Sequence, residues 1–438
     1  MKRLIESELY NWGKDFRRKP LILRGARQVG KTFTVKKFGA EVFAGDFVPV
    51  DLEKHPEWHP IFEKNLDAKR ILSELELVCQ KKITPGRTLL FLDEIQSAPR
   101  ALMALRYFYE NLPELHVIAA GSLLEFALKE ISFPVGRVQF LELFPMNFAE
   151  FLWATGKEPL ADLVLSPIPD DPKKAPSETI HRLLLDETRK YLFVGGMPEA
   201  VRVYAETESF KEGFAVHAEL VNAYRADFAK YTPRVDKQCL ESVFRGAAKN
   251  AGRQIKYSRL AEGHSNPTLK RAFDVLCQAR LVQKIESASP AGLPLGALDH
   301  AGRFKALLLD LGLIHHFCGL PVEALATEKD LLSVYEGALA EQFVGQELRS
   351  VLGNELFYWS RAEKSSSAEV DYLFTKKGKI YPVEVKSGPA GRLKSMHLLL
   401  EKYPNCPEGF VVSEAPPAEL PEKRLRFIPL YYAYSLGA

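Results

Sequence analysis

Near its start, the 438-residue sequence carries a glycine-containing run that is suited to binding phosphates. Residues 25–32 read GARQVGKT, the P-loop pattern, in which glycines let backbone N–H groups turn inward around the phosphates of a nucleotide. Lys31 supplies a positive charge to the β- and γ-phosphates, and the Thr32 hydroxyl can bind Mg²⁺. A helix that begins near Lys31 would add the positive end of its dipole. The residues predicted to bind ATP are Gly25, Ala26, Arg27, Gln28, Val29, Gly30, Lys31, Thr32 and Phe33.

A second chemical pattern follows about 60 residues later. The metal of a P-loop site needs a carboxylate from a neighbouring strand, and this pattern can supply it. Residues 88–94 read TLLFLDE, an apolar strand that ends in two acids, which is the Walker B arrangement. Asp93 is predicted to hold Mg²⁺ through water, and Glu94 to polarise the water that attacks the γ-phosphate. The alternative is that the two acids are only the solvated end of a strand.

Two further polar residues stand where they can assist hydrolysis. Ser122 ends the buried strand predicted over residues 115–122, and ligands of α/β sheets lie beyond the carboxyl ends of strands. It is placed to sense the γ-phosphate, or it merely caps the helix that follows. Arg137 either completes a neighbouring subunit's active site or forms a surface salt bridge, and the salt bridge is the more common arrangement.

The last third of the chain contains a different constellation of acids and lysine. Residues 368–388 predict a β-hairpin that turns at Lys377, with Asp371 on its first strand and Glu384 and Lys386 on its second. Glu384 and Lys386 are two residues apart and so project from the same face of the strand. This is the D…E-x-K pattern of PD-(D/E)xK nucleases, in which carboxylates hold a divalent metal and the lysine orients or activates the attacking water.

A helix predicted over residues 333–350 adds a further carboxylate, Glu341, with Glu347 on another side of the helix as the fallback. Val370 stands where such nucleases often have a proline, a departure that leaves the Asp371 ligand in place. A domain that cuts DNA and a domain that binds without cutting both fit this pattern. The predicted catalytic residues of this domain are Asp371, Glu384 and Lys386, and its predicted metal ligands are Glu341, Asp371 and Glu384.

Residues 242–284 concentrate positive charge in a chain whose net charge is only +3. A short helix, a turn, a second helix and a strand are predicted here, the outline of a winged helix-turn-helix whose second helix can enter a DNA groove. The excess of basic residues favours DNA as the partner, although a winged helix that contacts protein is the alternative. Two acids, Glu262 and Asp274, stand against nine basic residues, namely Arg245, Lys249, Arg253, Lys256, Arg259, Lys270, Arg271, Arg280 and Lys284.

The composition is that of a soluble globular protein, with 46% hydrophobic and 26% charged residues. No run approaches the ~20 apolar residues that span a membrane, and the acidic, polar start does not fit a signal peptide. Five cysteines lie far apart and form no metal or disulfide pattern, which predicts buried thiols in a reducing compartment. We therefore expect a cytoplasmic protein without a membrane partner.

Several motifs together resemble one prokaryotic group of AAA-type ATPases. They are GARQVGKT, LLFLDEIQ, AAGSLL, the GR–ELFPMNFAEF segment and YLFVGGMPEA, and the similarity runs over nearly the entire chain. In that group the ATPase is fused to a C-terminal domain of uncharacterised function with a restriction-endonuclease-like look. The resemblance implies an α/β fold with an ATPase core at 1–155, a helical lid or linker at 156–235, a winged helix at 236–290 and a nuclease-like domain at 291–438.

The sequence thus predicts an ATP- and Mg²⁺-dependent ATPase that acts on DNA and carries a metal-dependent, nuclease-like C-terminal domain. A homo-oligomer is compatible with this prediction, because AAA-type ATPases often complete their sites between subunits. The alternative is a regulatory or scaffolding ATPase, in which the nucleotide switches a protein-binding winged helix and the C-terminal domain is inert.

Overall fold

A computed structural model describes residues 1–122, 124–126, 136–169, 171, 174–231, 235–296, 302–319, 337–361, 368–387 and 393–438. The chain forms two compact units, residues 2–144 and residues 145–438, with Met1 grouped with the second. The predicted helix over 333–350 begins outside the described residues. The domain boundaries inferred from the resemblance stay predictions.

The first unit is built on a parallel sheet of five strands in the order β2-β3-β4-β1-β5. The strands are β1 (Leu21–Arg24), β2 (Phe47–Asp51), β3 (Leu89–Asp93), β4 (His116–Gly121) and β5 (Gln139–Glu142). Its described helices of four residues or more are α1 (Ile5–Lys14), α2 (Lys31–Val42), α3 (Pro60–Glu63), α4 (Ala68–Cys79) and α5 (Pro99–Asn111). This parallel α/β core confirms the fold predicted for the start of the chain.

The central strands of this sheet are apolar because both of their faces are covered. Every residue of β3 and β4 is buried, which is the pattern of a parallel sheet with a layer on each side. The helix α2 begins at Lys31, immediately after Gly30, whose φ of 97° lies in the left-handed region. The strands predicted over 88–94 and 115–122 are β3 and β4, and because they pair in parallel, their carboxyl ends lie at the same edge of one sheet.

The second unit starts with helices that pack around Tyr191. The ring of Tyr191 contacts the rings of Phe148, Phe151 and Phe343, and its hydroxyl donates to the carbonyl oxygen of Met146 at 2.6 Å. The helices are α6 (Phe148–Ala154), α7 (Glu158–Leu165), α8 (Glu178–Val194), α9 (Pro198–Thr207) and α10 (Phe210–Tyr231). A Gly-Gly turn, Gly195-Gly196, separates α8 from α9.

The basic segment lies in a region that combines two helices with a three-stranded antiparallel sheet, in the order β6-β8-β7. The elements are α11 (Lys237–Lys249), β6 (Gln254–Ile255), α12 (Asn266–Gln278), β7 (Val282–Ile285) and β8 (Phe304–Leu308). The short helix predicted at YSRLAEG is a 3₁₀ turn over Tyr257–Arg259. The second predicted helix is α12, where the Ser265 hydroxyl caps the Thr268 N–H and Pro267 lies in the first turn.

The C-terminal elements form a mixed sheet in the order β13-β14-β12-β11-β10-β9. Its strands are β9 (Phe357–Ser360), β10 (Glu369–Lys376), β11 (Lys379–Val385), β12 (Gly409–Ser413), β13 (Ala418–Leu420) and β14 (Leu425–Pro429). The predicted hairpin is the antiparallel pair β10–β11, and its turn holds Lys377 and Gly378 at φ values of 51° and 72°. The remaining described helices are α13 (Gly312–Cys318), α14 (Ala338–Leu352), α15 (Lys394–Lys402) and α16 (Ala433–Gly437).

Among the helices that the structure describes, none combines the length and the apolar character needed to cross a membrane.

Glu347 on α14 has a structural role in the second unit. Its carboxylate, 1% exposed, accepts the N–H of Phe148 at 2.9 Å and so satisfies one of the donors at the start of α6. Burial raises the pKa of Glu347 to about 8, against a smaller opposing effect of the Phe148 hydrogen bond. The fallback ligand of the sequence prediction is therefore engaged with the backbone.

This burial predicts a pH-dependent stability. A carboxyl group whose pKa is raised in the folded state stabilises the fold fully below its ordinary pKa, and this contribution is lost as the pH rises through the folded pKa. Replacing Glu347 by Gln keeps an acceptor for Phe148 but removes the titration. Between about pH 5 and about pH 8, the wild type should lose on the order of 2 kcal/mol more unfolding free energy than Glu347→Gln. Thermal or denaturant unfolding at both pH values checks this.

The matched control is Glu355→Gln, which changes an exposed glutamate near the end of the same helix. It should follow the wild type at both pH values. Parallel pH profiles for the wild type and Glu347→Gln would contradict the account of Glu347.

Candidate functional site

The P-loop is held in shape by its own lysine. Lys31 is 6% exposed, and its ammonium group donates to the carbonyl oxygens of Gly25 at 3.1 Å and Ala26 at 2.7 Å. Gln28 and Gly30 have φ values of 66° and 97°, which turns the backbone between them. The loop thus wraps around the lysine, at the start of α2, where anions are favoured.

Two contacts fix the loop from outside. A Cβ atom at Gly25 would collide with the carbonyl oxygen of Leu143, so only glycine allows this approach. Arg3 donates to the carbonyl oxygens of Val29 at 3.0 Å and Phe144 at 2.7 Å. Sequence reasoning missed Arg3, since no local pattern connects it to a loop more than twenty residues away.

Asp93, the last residue of β3, lies beside the P-loop hydroxyl. The Thr32 Oγ1 atom donates to Asp93 Oδ1 at 3.1 Å, although the two residues belong to different elements. Asp93 is 5% exposed, and burial raises its pKa while the Thr32 hydrogen bond lowers it. A hydroxyl and a carboxylate at this separation fit the oxygen ligands that Mg²⁺ takes together with water and phosphates. These residues therefore fit the predicted metal.

Glu94 has an unusual backbone conformation and a fixed side chain. Its φ of 48° is left-handed, an uncommon conformation for a residue with a side chain and one that clusters at functional sites. The Glu94 Oε2 atom accepts from the Gln96 side-chain amide at 2.5 Å. Gln96 was also missed, since a glutamine two residues after an acid carries no distinct signal. This amide fixes the orientation of the carboxylate that is predicted to polarise water.

The two accessory residues have different surroundings. Arg137 Nε lies 3.0 Å from Glu110 Oε1, which also accepts from Arg106, so the surface salt bridge is the arrangement observed. Ser122 directly follows β4, the neighbour of both β1 and β3, and is 8% exposed. Its role as a γ-phosphate sensor stays a prediction.

In the second unit, two of the predicted nuclease carboxylates, those of Glu341 and Asp371, lie beside a buried lysine together with Glu369. Lys305 of β8 is 1% exposed, and its Nζ atom lies 3.2 Å from Glu341 Oε2, 2.6 Å from Glu369 Oε1 and 3.0 Å from Asp371 Oδ1. Burial alone would lower the pKa of Lys305, but Asp371, Glu341 and Glu369 raise it well above its ordinary value. The lysine is therefore charged in the fold.

The remaining carboxylate oxygens of Asp371 and Glu384 have two hydrogen-bond donors, the backbone N–H of Val385 and the side chain of Lys386. Asp371 Oδ2 accepts the backbone N–H of Val385 at 2.8 Å. Glu384 Oε1 accepts from Lys386 Nζ at 2.6 Å, while Glu384 Oε2 is buried and has no hydrogen-bond partner among the described residues. The hairpin thus brings Glu384 and Lys386 together, as the spacing predicted.

Two of the carboxyl groups in this cluster have raised pKa values. No group of three or more His, Cys, Asp and Glu side chains within the described ranges is arranged to hold a metal ion. Burial raises the pKa of Glu341 to about 8 and that of Glu384 to about 7, with Asp371 adding to both effects. These carboxyl groups take up protons more readily than exposed acids do. The metal role predicted for Glu341, Asp371 and Glu384 stays a prediction. The ammonium group of Lys305 contacts two of these carboxylates, Glu341 and Asp371.

Sequence reasoning did not identify Lys305. The signal was a single lysine inside the apolar run FKALLL, at a position where a strand residue would otherwise be apolar. A buried lysine requires a compensating charge, but the sequence does not say which carboxylates supply it.

Comparison with known proteins divides the chain into three matched regions. Residues 17–152 match an AAA domain family, residues 185–324 match a domain of unknown function (DUF8612), and residues 336–431 match another domain of unknown function (DUF4143). The first match covers the P-loop and the two acids at the end of β3, Asp93 and Glu94. The N-terminal part of the chain is therefore an AAA-type ATPase domain, a kind of domain that binds nucleotides. The other two matches assign no activity to the remainder.

Individual relatives are distant. The chain is 24% identical over 245 residues to an uncharacterized protein of Methanocaldococcus jannaschii, a match that covers 54% of this chain and 48% of the relative. The chain thus spans about half the length of that curated relative. The Walker-type ATPase PABY2304 of Pyrococcus abyssi is 16% identical, over 72% of this chain and 95% of that chain, with a TM-score of 0.46. AMPPCP-bound DnaA from Aquifex aeolicus is 14% identical, over 63% and 87%, with a TM-score of 0.26.

Proposed function

We propose that this protein binds ATP with Mg²⁺, hydrolyses it and uses the hydrolysis to act on DNA. The observation that carries the proposal is the contact between Thr32 and Asp93 at 3.1 Å, next to a P-loop wrapped around Lys31. It brings the hydroxyl and the carboxylate of two separate motifs to one point. That point lies at the edge of the sheet where α/β proteins bind their ligands.

The proposed roles follow from charge and position. Lys31 exchanges its loop carbonyls for the β- and γ-phosphates when a nucleotide binds, because phosphate oxygens offer it a full opposing charge. Thr32 and Asp93 would hold Mg²⁺, which would neutralise part of the negative charge of the phosphates. Glu94, oriented by Gln96, polarises the water that attacks the γ-phosphate.

Glu94 and Lys31 should separate binding from hydrolysis. Glu94→Gln keeps the shape but loses the charge that polarises water, so the ATP hydrolysis rate should fall about 100-fold or more while ATP still binds. Lys31→Ala should lose both, because its charge contacts the phosphates. Calorimetric titration with MgATP and a steady-state phosphate-release assay measure the two properties.

Glu53→Gln, an exposed acid that follows β2 in the same unit, serves as the control and should behave as the wild type. A Glu94→Gln protein that hydrolyses ATP at the wild-type rate would rule out the proposed role of Glu94.

The proposed DNA contact is supported by the order of elements and by exposure. The sequence α11, β6, 3₁₀ turn, α12, β7, β8 follows the plan of a winged helix, with α12 as the second, DNA-facing helix. The start of α12 exposes Asn266, Lys270 and Arg271, side chains that suit contacts to bases and phosphates. Among the nine basic residues, Arg245 is paired with Glu241 and Lys284 with Glu286.

Removing two charges from α12 should weaken DNA binding in a salt-dependent manner. For Lys270→Ala/Arg271→Ala, the plot of log K against log salt concentration should be shallower by about 2, since each phosphate contact contributes ~0.9. Fluorescence anisotropy of labelled duplex DNA over a range of salt concentrations gives this slope.

The control pair is Lys402→Ala/Lys423→Ala, which removes two exposed lysines of the C-terminal region. If the control pair and the α12 pair change the slope equally, α12 has no special role. If the wild type does not bind DNA in low salt, the alternative of a winged helix that contacts protein replaces the proposal.

The C-terminal domain enters the proposal as a nuclease-like fold without an assigned activity. Its D…E-x-K residues support that fold, and DNA cleavage stays a prediction. Lys305 favours the alternative in which this domain does not cut, because the ammonium engages the carboxylates that a metal would need.

A further inference from the structure

We infer that the side chain of Lys305 takes the place of a divalent cation in the carboxylate cluster of the C-terminal domain, so that this cluster is an internal ion-pair brace and not a metal site. The inference does not depend on ATP hydrolysis or on DNA binding. It concerns residues that lie together in the second unit, and it assigns a role to a lysine that belongs to neither predicted motif.

The cluster matches the bonding capacity of an ammonium group. A lysine has three N–H donors and no acceptor, and three carboxylates from two elements lie 2.6–3.2 Å from Lys305 Nζ. Glu341 comes from α14, and Glu369 and Asp371 come from β10. All three distances are those of N–H···O hydrogen bonds. The donors of Lys305 are thus matched one to one by carboxylates.

The walls of the cluster also suit an organic cation better than a hydrated metal. The ring centroids of Tyr358 and Tyr372 lie 5.8 Å and 5.9 Å from Lys305 Nζ, within the range of cation–π attraction. The Tyr372 hydroxyl donates to the carbonyl oxygen of Glu341 at 2.8 Å, and the Tyr358 hydroxyl accepts from Gln254 at 3.0 Å. Both hydroxyls are therefore engaged with the protein. While Lys305 occupies the three carboxylates, the ring faces leave Mg²⁺ without the octahedron of oxygens that it requires.

The remaining acid of the D…E-x-K pattern does not complete a metal site. Glu384 Oε1 is paired with Lys386, and Asp371 Oδ2 is held by the Val385 N–H. Glu384 Oε2 is the buried carboxylate oxygen without a hydrogen-bond partner among the described residues. One such oxygen does not replace the several ligands that a divalent cation needs.

The ion cluster around Lys305 connects elements from two parts of the second unit. Lys305 belongs to β8 of the three-stranded sheet, whereas its partners belong to α14 and β10. The ion cluster therefore joins the region that carries α12 to the C-terminal sheet. Buried ionic groups of this kind fix one arrangement of elements, because any other leaves a charge unpaired in the interior.

Manganese binding tests the inference on the full chain. The experiment starts from Asp93→Ala, which removes the metal carboxylate of the ATPase site, so that failure of the ATP proposal and failure of this one give different results. Electron paramagnetic resonance of free Mn²⁺ counts the bound ions. We expect Asp93→Ala to bind no stoichiometric Mn²⁺, and Asp93→Ala/Lys305→Ala to gain one bound ion together with a Mn²⁺-dependent rise in melting temperature.

The matched control is Asp93→Ala/Lys305→Arg, which keeps a cation in the cluster and should bind no Mn²⁺. One Mn²⁺ bound to Asp93→Ala and lost on further Asp371→Asn substitution would overturn the inference, and this comparison does not require the Lys305→Ala chain to fold. A folded Asp93→Ala/Lys305→Ala chain that binds no Mn²⁺ would also contradict it.

Discussion

The parallel register of β1, β4 and β3 is the constraint on which the nucleotide site depends. Ile22 and Leu92 both pair with Ala119, so the strands are aligned and end within a residue or two of one another. Consequently the loop after β1 and the acid at the end of β3 meet at one edge of the sheet. The hydrogen bond between Thr32 and Asp93 is the direct result. A slip of one residue in either pairing would turn these side chains to the opposite face.

The second unit depends on compensation of buried charge. Lys305, Glu347 and Asp310 are each almost fully buried, and each has defined partners. Asp310, for example, accepts the backbone N–H groups of Gly196 and Gly312 at 2.6 Å and 2.9 Å and so fixes the Gly-Gly turn between α8 and α9. Charged groups that are taken out of water stabilise a fold only when their partners are in place. The packing of this unit is therefore specific as well as apolar.

The sequence was sufficient where the signal is local. Apolar strands that end in GARQVGKT and in LLFLDE predicted the parallel core, because strand, loop and chemistry lie within one short stretch. The hairpin that carries Asp371 and Glu384 was predicted for the same reason. Long-range partners were not predictable: Arg3 beneath the P-loop and Lys305 within the carboxylates belong to distant parts of the chain. The spacing of the D…E-x-K residues indicates which acids lie near one another. It does not reveal that Lys305, on another strand, places its ammonium group beside Asp371.

We propose that ATP hydrolysis at the sheet edge serves an action on DNA. The most direct measurement is the steady-state rate of ATP hydrolysis in low salt, with and without duplex DNA. We expect DNA to raise the rate of ATP hydrolysis by the wild type, and to cause no increase when Lys270 and Arg271 are replaced by alanine. Equal rates with and without DNA, in a wild-type protein that hydrolyses ATP, would contradict it.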